Sequence, residues 1–213
     1  EEAVTYLREN IRGKTVGFGG SQTLTDLDLR HALANQNTLF VPDFAPEGEN
    51  FGSTAAKAMT AEVYLLSANA VTENGEIINI DGTGNRLAGS LYGHQKVYYI
   101  ISENKISKNL EAAIYRARNT AAPRNALRLR RNTPCAQMVI ARLMKQFEEV
   151  HPGEEFSKLK WQTFIESLSD EEIDTHCYDC KSPQRICSSL LIHWKKPSSM
   201  DAEIILLKSN TGY

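Results

Sequence analysis

The sequence predicts an α/β domain with a mostly parallel sheet and helices on both of its faces. Three observations carry that reading. Extended and helical patterns alternate through the first half of the chain. Val97 to Ile101 is a continuous apolar run, which suits a strand covered on both faces. Leu110, Ala113, Ile114 and Ala117 then recur at helical spacing behind a Ser107 cap.

Val4, Leu7 and Ile11 share one face of an N-terminal helix that Gly13 ends. Thr15 to Phe18 reads as a short buried strand, and Gly19-Gly20-Ser21-Gln22 as a turn. Thr23-Leu24-Thr25-Asp26 supplies the cap and acidic first turn of a second helix. Thr38 to Val41 is a strand stopped by Pro42, and Asp43 to Gly52 is a loop. Glu62 to Ser67 and Glu76 to Ile80 are strands, with Glu73-Asn74-Gly75 as a tight turn before the second. Ile140, Leu143, Met144 and Phe147 mark one amphipathic helix, and Trp161, Phe164, Ile165 and Leu168 another. His151-Pro152-Gly153 separates them into a helical hairpin. Leu190 to Trp194 and Ala202 to Leu207 look like a closing pair of strands.

With 213 residues, 41% hydrophobic and 23% charged, the chain is expected to form one domain over 1–213, and disorder, collagen and coiled coil are excluded. Its 24 Lys and Arg against 26 Asp and Glu speak against bulk binding of nucleic acid or an anionic membrane. No apolar run approaches the ~20 residues that span a bilayer. Glu1-Glu2-Ala3-Val4 holds no basic region followed by an apolar one, so a cytoplasmic protein is expected. The chain starts without a methionine, which leaves room for residues ahead of Glu1.

Two turns could hold an anion. Gly20, Ser21 and Thr23 lie where a strand enters a capped helix, which leaves backbone N–H groups for a carboxylate or phosphate, with two hydroxyls beside them. Backbone geometry alone would also call for those glycines. In Asp81-Gly82-Thr83-Gly84-Asn85-Arg86, a strand turns on Gly82 and Gly84 into a helix, and Arg86 could clamp a carboxylate in two-pronged fashion. Equally, Asp81 and Arg86 could pair with each other or cap the turn. Asp81 and Glu73 are the carboxylates nominated for catalysis; no Ser-His-Asp, Cys-His or paired-carboxylate pattern stands out, and no nucleotide motif. The six arginines between Arg116 and Arg131 read as a solvated face or as a strip for an acidic ligand.

The cysteines are the most specific signal. Cys135 precedes the helical hairpin, and Cys177, Cys180 and Cys187 follow it. A C-x2-C knuckle lets two thiolates reach one metal, and four thiolates suit Zn²⁺ or an iron–sulfur cluster. Buried or disulfide-bonded cysteine is the other reading.

Gly20-Ser21-x-Thr23-Leu24, Ala70-Val71-Thr72-Glu73-x-Gly75 and Asn79-Ile80-Asp81-Gly82-Thr83-Gly84-Asn85-Arg86 occur in order. Asn104-Lys105-Ile106, Ala122-Pro123-x-Asn125, Thr133-Pro134-Cys135, Cys177-x-x-Cys180-x-Ser182-Pro183-x-Arg185-Ile186-Cys187 and Gly212-Tyr213 follow. From about Gly19 to Tyr213 the chain resembles the lactate-utilisation (LUD) domain family, LutC-like and nearest its stand-alone members. The resemblance implies a three-layer α/β fold of the NagB/RpiA/CoA-transferase-like type, with a ligand over the strand ends near Gly20 to Thr23. It also implies a place in a system that oxidises L-lactate to pyruvate with iron–sulfur partner proteins. One departure stands out: 41 residues, Ala136 to His176, separate the first cysteine from the C-x2-C segment, where the family has only a few.

Two functions follow. One is an enzyme or subunit acting on a small hydroxy- or keto-acid held by Gly20, Ser21, Thr23 and Arg86. The other is an accessory or electron-transfer protein with a metal site at the four cysteines.

Overall fold

The computed structural model describes residues 1–153, 160, 163, 164 and 167–213. The chain divides into two compact units, Glu1–Ala117 with Cys187–Tyr213, and Arg118–Ile186.

The first unit is a three-layer α/β structure around a five-stranded sheet of order β2-β1-β3-β6-β9. Its strands are β1 (Thr15–Phe18), β2 (Thr38–Phe40), β3 (Val63–Leu66), β6 (Lys96–Ser102) and β9 (Asp201–Leu207), and every pairing is parallel. Alternation along the strands feeds two cores. Val63, Leu65, Tyr98 and Ile100 join Val16, Phe18, Leu7, Leu29 and Leu33 on one face, under the helices α1 (Glu2–Asn10), α2 (Gln22–Asp26) and α3 (Leu29–Ala34). Tyr64, Leu66, Val97, Tyr99 and Ile101 form the other core with Ala58, Val71 and Ile77.

That second face is covered by α4 (Phe51–Ala58), α5 (Asn85–Leu91) and a smaller sheet. The expectation of helices on both faces therefore needs this addition. The small sheet has the order β7-β4-β5-β8, from β4 (Ala70–Thr72), β5 (Ile77–Asp81), β7 (Ile106–Ser107) and β8 (Ser189–His193). Gly17 lets α4 lie directly on β1: a Cβ there would stand 2.4 Å from the Ala58 carbonyl oxygen. A capping box between Asn50 and Ser53 starts α4 inside the stretch expected to be loop. The cap of α6 (Leu110–Arg116) is Asn109, which accepts from Ala112 N, and not Ser107.

The two last strands do not pair with each other. β8 joins β5 antiparallel and β9 joins β6 in parallel. In this place Met200, just before β9, and Ala202 reach one core, and Ile205 and Leu207 the other, while Ile204 and Leu206 stay exposed at the sheet edge. Only a place in the main sheet offers both cores to one strand.

The second unit is wider than the expected insertion of 136–176. It contains α7 (Ala122–Arg128), α8 (Pro134–Val150) and a short helix at Asp170–Ile173. Val139, Leu143, Phe147, Phe164 and Ile173 form its core, with Leu127 and Leu168 against it. Leu127 brings α7 against this cluster. Trp161 and Ile165 of the expected return helix lie outside the described residues.

Candidate functional site

Parallel strands deliver their carboxyl ends to one edge, the usual place for a ligand in an open α/β sheet. Here that edge carries Gly19 and Gly20 after β1, Ser67 after β3, and Glu103–Lys105 after β6. The turn from Asp81 to Arg86 arrives beside it from β5. A Cβ on Gly19 would stand 3.0 Å from Arg86 Cγ, so the two expected turns do meet.

Lys105 enters the sequence reading only within Asn104-Lys105-Ile106, as part of the resemblance, with no role at the site. It is 2% exposed. Its Nζ donates to Thr23 Oγ1 at 2.8 Å and to Ser67 Oγ at 3.2 Å. Among the described residues its hydrogen-bond partners are thus hydroxyls, which do not compensate an ammonium as a carboxylate would. Burial pulls its pKa down to about 7; the Arg116 and Arg86 guanidinium groups push the same way, and Asp26 opposes them. Near neutral pH the amine is therefore divided between its charged and neutral forms.

Arg86 and Asp81 bear out the pairing alternative in part. Asp81, itself buried, accepts from Arg86 N through Oδ2 at 2.9 Å, and Arg86 Nε lies 3.9 Å from the same oxygen. The Arg86 guanidinium also donates to the Ile80 carbonyl. This fixes the arginine against the strand end. Gly84, at φ +94°, caps α5 in a conformation that side chains rarely adopt, while Gly82 is an exposed bend. Asn85 offers its carbonyl to Tyr64 OH at 3.3 Å. Arg116 donates to the Asn104 carbonyl at 3.0 Å and to the Asn69 carbonyl, which brings a third cation to this edge.

The Gly20–Ser21 turn is less suited to an anion than expected. A Cβ on Gly20 would stand 2.9 Å from Asp43 Oδ2, so a carboxylate already lies beside this backbone. Ser21 Oγ accepts from Leu24 N at 3.5 Å as the helix cap. The turn instead borders a cleft of about 270 Å³ lined by Phe18, Leu24, His31, Val41, Asp43 and Phe44 among others. Thr23 is different: its hydroxyl holds Lys105 and also donates to the Thr211 carbonyl at 3.3 Å. The segment Thr211–Gly212 lies across this point. Ser102 Oγ donates to Thr211 O, Asn104 Nδ2 to Gly212 O, and Gly212 N to Asp26 Oδ2. A Cβ on Gly212 would meet Thr23 Oγ1 at 2.4 Å and Lys105 Nζ at 3.2 Å.

Glu73 is not brought to the site. It sits, exposed, at the far end of the β4–β5 hairpin from Asp81. The five residues of β5 put about 13 Å of strand between the two ends.

The cysteines are free thiols, each half-buried. Cys135, Cys177 and Cys180 belong to the second unit, and Cys187 to the first. Cys135 Sγ lies 3.2 Å from Thr133 Oγ1. Cys177 Sγ accepts from Arg118 at 3.6 Å and from Asp179 N at 3.4 Å. Among the described residues, no three His, Cys, Asp or Glu side chains are gathered closely enough to hold a metal ion.

Together the sheet order and its polar carboxyl edge define an open α/β domain with a candidate site formed by Lys105, Thr23, Ser67, Arg86 and Arg116. Comparison with family models identifies the family: the LUD domain model matches residues 1–206, and the chain belongs to that family. Membership ties it to lactate utilisation in general terms. A comparison with curated proteins finds no match. Among the described residues no helix is long and apolar enough to cross a membrane.

Proposed function

We propose that this domain is a cytoplasmic enzyme, or a subunit of one, which binds a small hydroxy- or keto-acid at the carboxyl edge of its sheet during the oxidation of L-lactate to pyruvate. One observation carries the reading: a buried lysine that, among the described residues, is hydrogen-bonded to hydroxyls, with two guanidinium groups close enough to disturb its protonation. Three cations meet there against the Asp81 carboxylate on Arg86 and the more distant Asp26, and the carboxylate of a small acid adds the balancing charge. Unit charges about 4 Å apart attract by roughly 4 kcal/mol near a protein surface. A phosphate-bearing ligand would meet the same cations.

The residues can also move a proton. An amine that titrates near neutrality both accepts and returns one, and the Thr23 and Ser67 hydroxyls lie in its hydrogen-bond path. Converting lactate to pyruvate releases two electrons and two protons. In this reading Lys105 takes the proton of the C2 hydroxyl, the C2 hydrogen leaves as the second proton, and the two electrons go to the iron–sulfur partner proteins of the system, which are the oxidant. Calorimetric titration with L-lactate, pyruvate, phosphate and lactamide tests the reading. Binding of the acids but not of the uncharged amide supports it; no binding, or equal binding of lactamide, contradicts it.

The alternative, an accessory or electron-transfer protein with zinc or an iron–sulfur cluster at Cys135, Cys177, Cys180 and Cys187, rests on the free thiols alone. Iron, zinc and sulfide analysis of anaerobically prepared protein decides it.

A further inference from the structure

We propose that Lys105 Nζ forms a reversible imine with the carbonyl carbon of a small 2-oxo acid, so that the site holds keto acids covalently and hydroxy acids only by charge. The inference rests on reading this edge as a small-acid site. Three features of the geometry and the shape of a 2-oxo acid support it. Nζ is withdrawn from water and hydrogen-bonded to the hydroxyls of Thr23 and Ser67, and among the described residues no carboxylate is bonded to it. Arg86 and Arg116, on α5 and α6, add positive charge near it, and Arg86 is the group to meet the carboxylate of the acid. A 2-oxo acid carries its carbonyl on the carbon next to that carboxylate, which matches cations clustered around a nucleophile. Gly212 has no side chain over Nζ, and the hydrogen bonds of Thr211 and Gly212 are the ones that open when an acid enters.

The step balances without an oxidant. The lone pair of the neutral amine attacks the carbonyl carbon, a carbon–nitrogen bond forms, and the carbon–oxygen bond breaks. The oxygen leaves as water with both amine protons, which Thr23 and Ser67 can relay. Desolvation and neighbouring cations are the usual means of keeping such a lysine neutral, and both act on Lys105. Among the described residues the charged groups acting on it are Arg86, Arg116 and Asp26, and of these Asp26 favours the ammonium. With a pKa of about 7, some nine-tenths of Lys105 is neutral at pH 8. An ordinary lysine, with a pKa of ~10.4, is then neutral to about 0.4%, a difference of about 200-fold.

The test is reductive trapping of the full chain. Protein is incubated with pyruvate and borohydride, digested, and mapped by mass spectrometry, with L-lactate as the ligand that has no carbonyl to trap. The expected result is one carboxyethyl group per chain, on the peptide that contains Lys105. Its yield should rise between pH 6 and pH 8, and it should be absent with lactate and in Lys105→Met and Lys105→Arg. Mapping the unaltered chain keeps the test decisive if a variant fails to fold. Pyruvate binding measured by calorimetry without any trapped adduct overturns the imine and leaves the small-acid site standing. An adduct spread over surface lysines, or unchanged in Lys105→Arg, also overturns it. Absence of binding by any small acid removes the site reading itself.

Discussion

Replacing Lys105 with methionine should flatten the stability of the protein between pH 7.5 and 9.5. In the folded chain the amine titrates at about 7, against 10.5 for an unperturbed lysine. Between those values the unfolded chain binds a proton that the folded chain does not, so stability rises with pH. The cost of burying the ammonium is felt in full below about pH 7 and is relieved as the pH climbs towards that of an ordinary lysine. Each pH unit in the window contributes up to about 1.4 kcal/mol, and the gain from pH 7.5 to 9.5 sums to about 2.5 kcal/mol. The window avoids other buried groups. His94 and His193 are held below their ordinary range by burial and act at lower pH. Tyr64 and Tyr99 are pushed up by burial, the latter to about 12, and begin to act only near pH 10. Urea denaturation followed by circular dichroism at several pH values measures the slope. The unaltered chain should gain stability through the window, and Lys105→Met should not. Equal slopes in the two proteins would refute the burial argument, because the lysine would then titrate alike folded and unfolded.

Three further outcomes are expected. Arg86→Ala should weaken lactate and pyruvate binding by about 1.5–3 kcal/mol, the worth of a charged hydrogen bond, as read by calorimetry. Gly17→Ala should lower stability by at least about 1–3 kcal/mol in urea denaturation, since its Cβ would collide with the Ala58 carbonyl at 2.4 Å. Because His94 and His193 have lowered pKa values in the folded chain, the unfolded chain binds protons first on acidification, and stability should fall as the pH drops through about 6.5. Double replacement of these histidines by glutamine should shrink that acid-side loss in the same measurement.

The main sheet was legible because its strands are short apolar runs. Thr15–Phe18 is predicted and found with the same ends, and Val97 to Ile101 lies inside the observed β6. The small sheet was not legible: β4 and β7 are three and two residues long, too short to show a period, and they exist only through pairing with neighbours. α4 was missed because its sequence, Phe-Gly-Ser-Thr-Ala-Ala-Lys-Ala, has small residues where a helix would show an apolar stripe. At the site, the Asp81–Arg86 turn could be read from its residue types. Lys105 could not: a lysine after an apolar strand gives no sign of burial, and its partners Thr23 and Ser67 are 82 and 38 residues away in the chain. The Asp43 carboxylate beside Gly20 is likewise a tertiary contact between loops that follow different strands. The Gly212 contact with Thr23 and Lys105 shows in the sequence only as a terminal Gly-Tyr that carries the resemblance, with no role attached.

Hydrogen–deuterium exchange of the full chain, with and without saturating pyruvate or L-lactate, tests most directly whether the carboxyl edge around Lys105 is the ligand site. The account predicts slower exchange in residues 19–24, 81–88 and 102–106 with either acid, and little change in residues 118–186. Protection absent from those three segments and confined to the cleft at 41–44 or to residues 118–186 would contradict it.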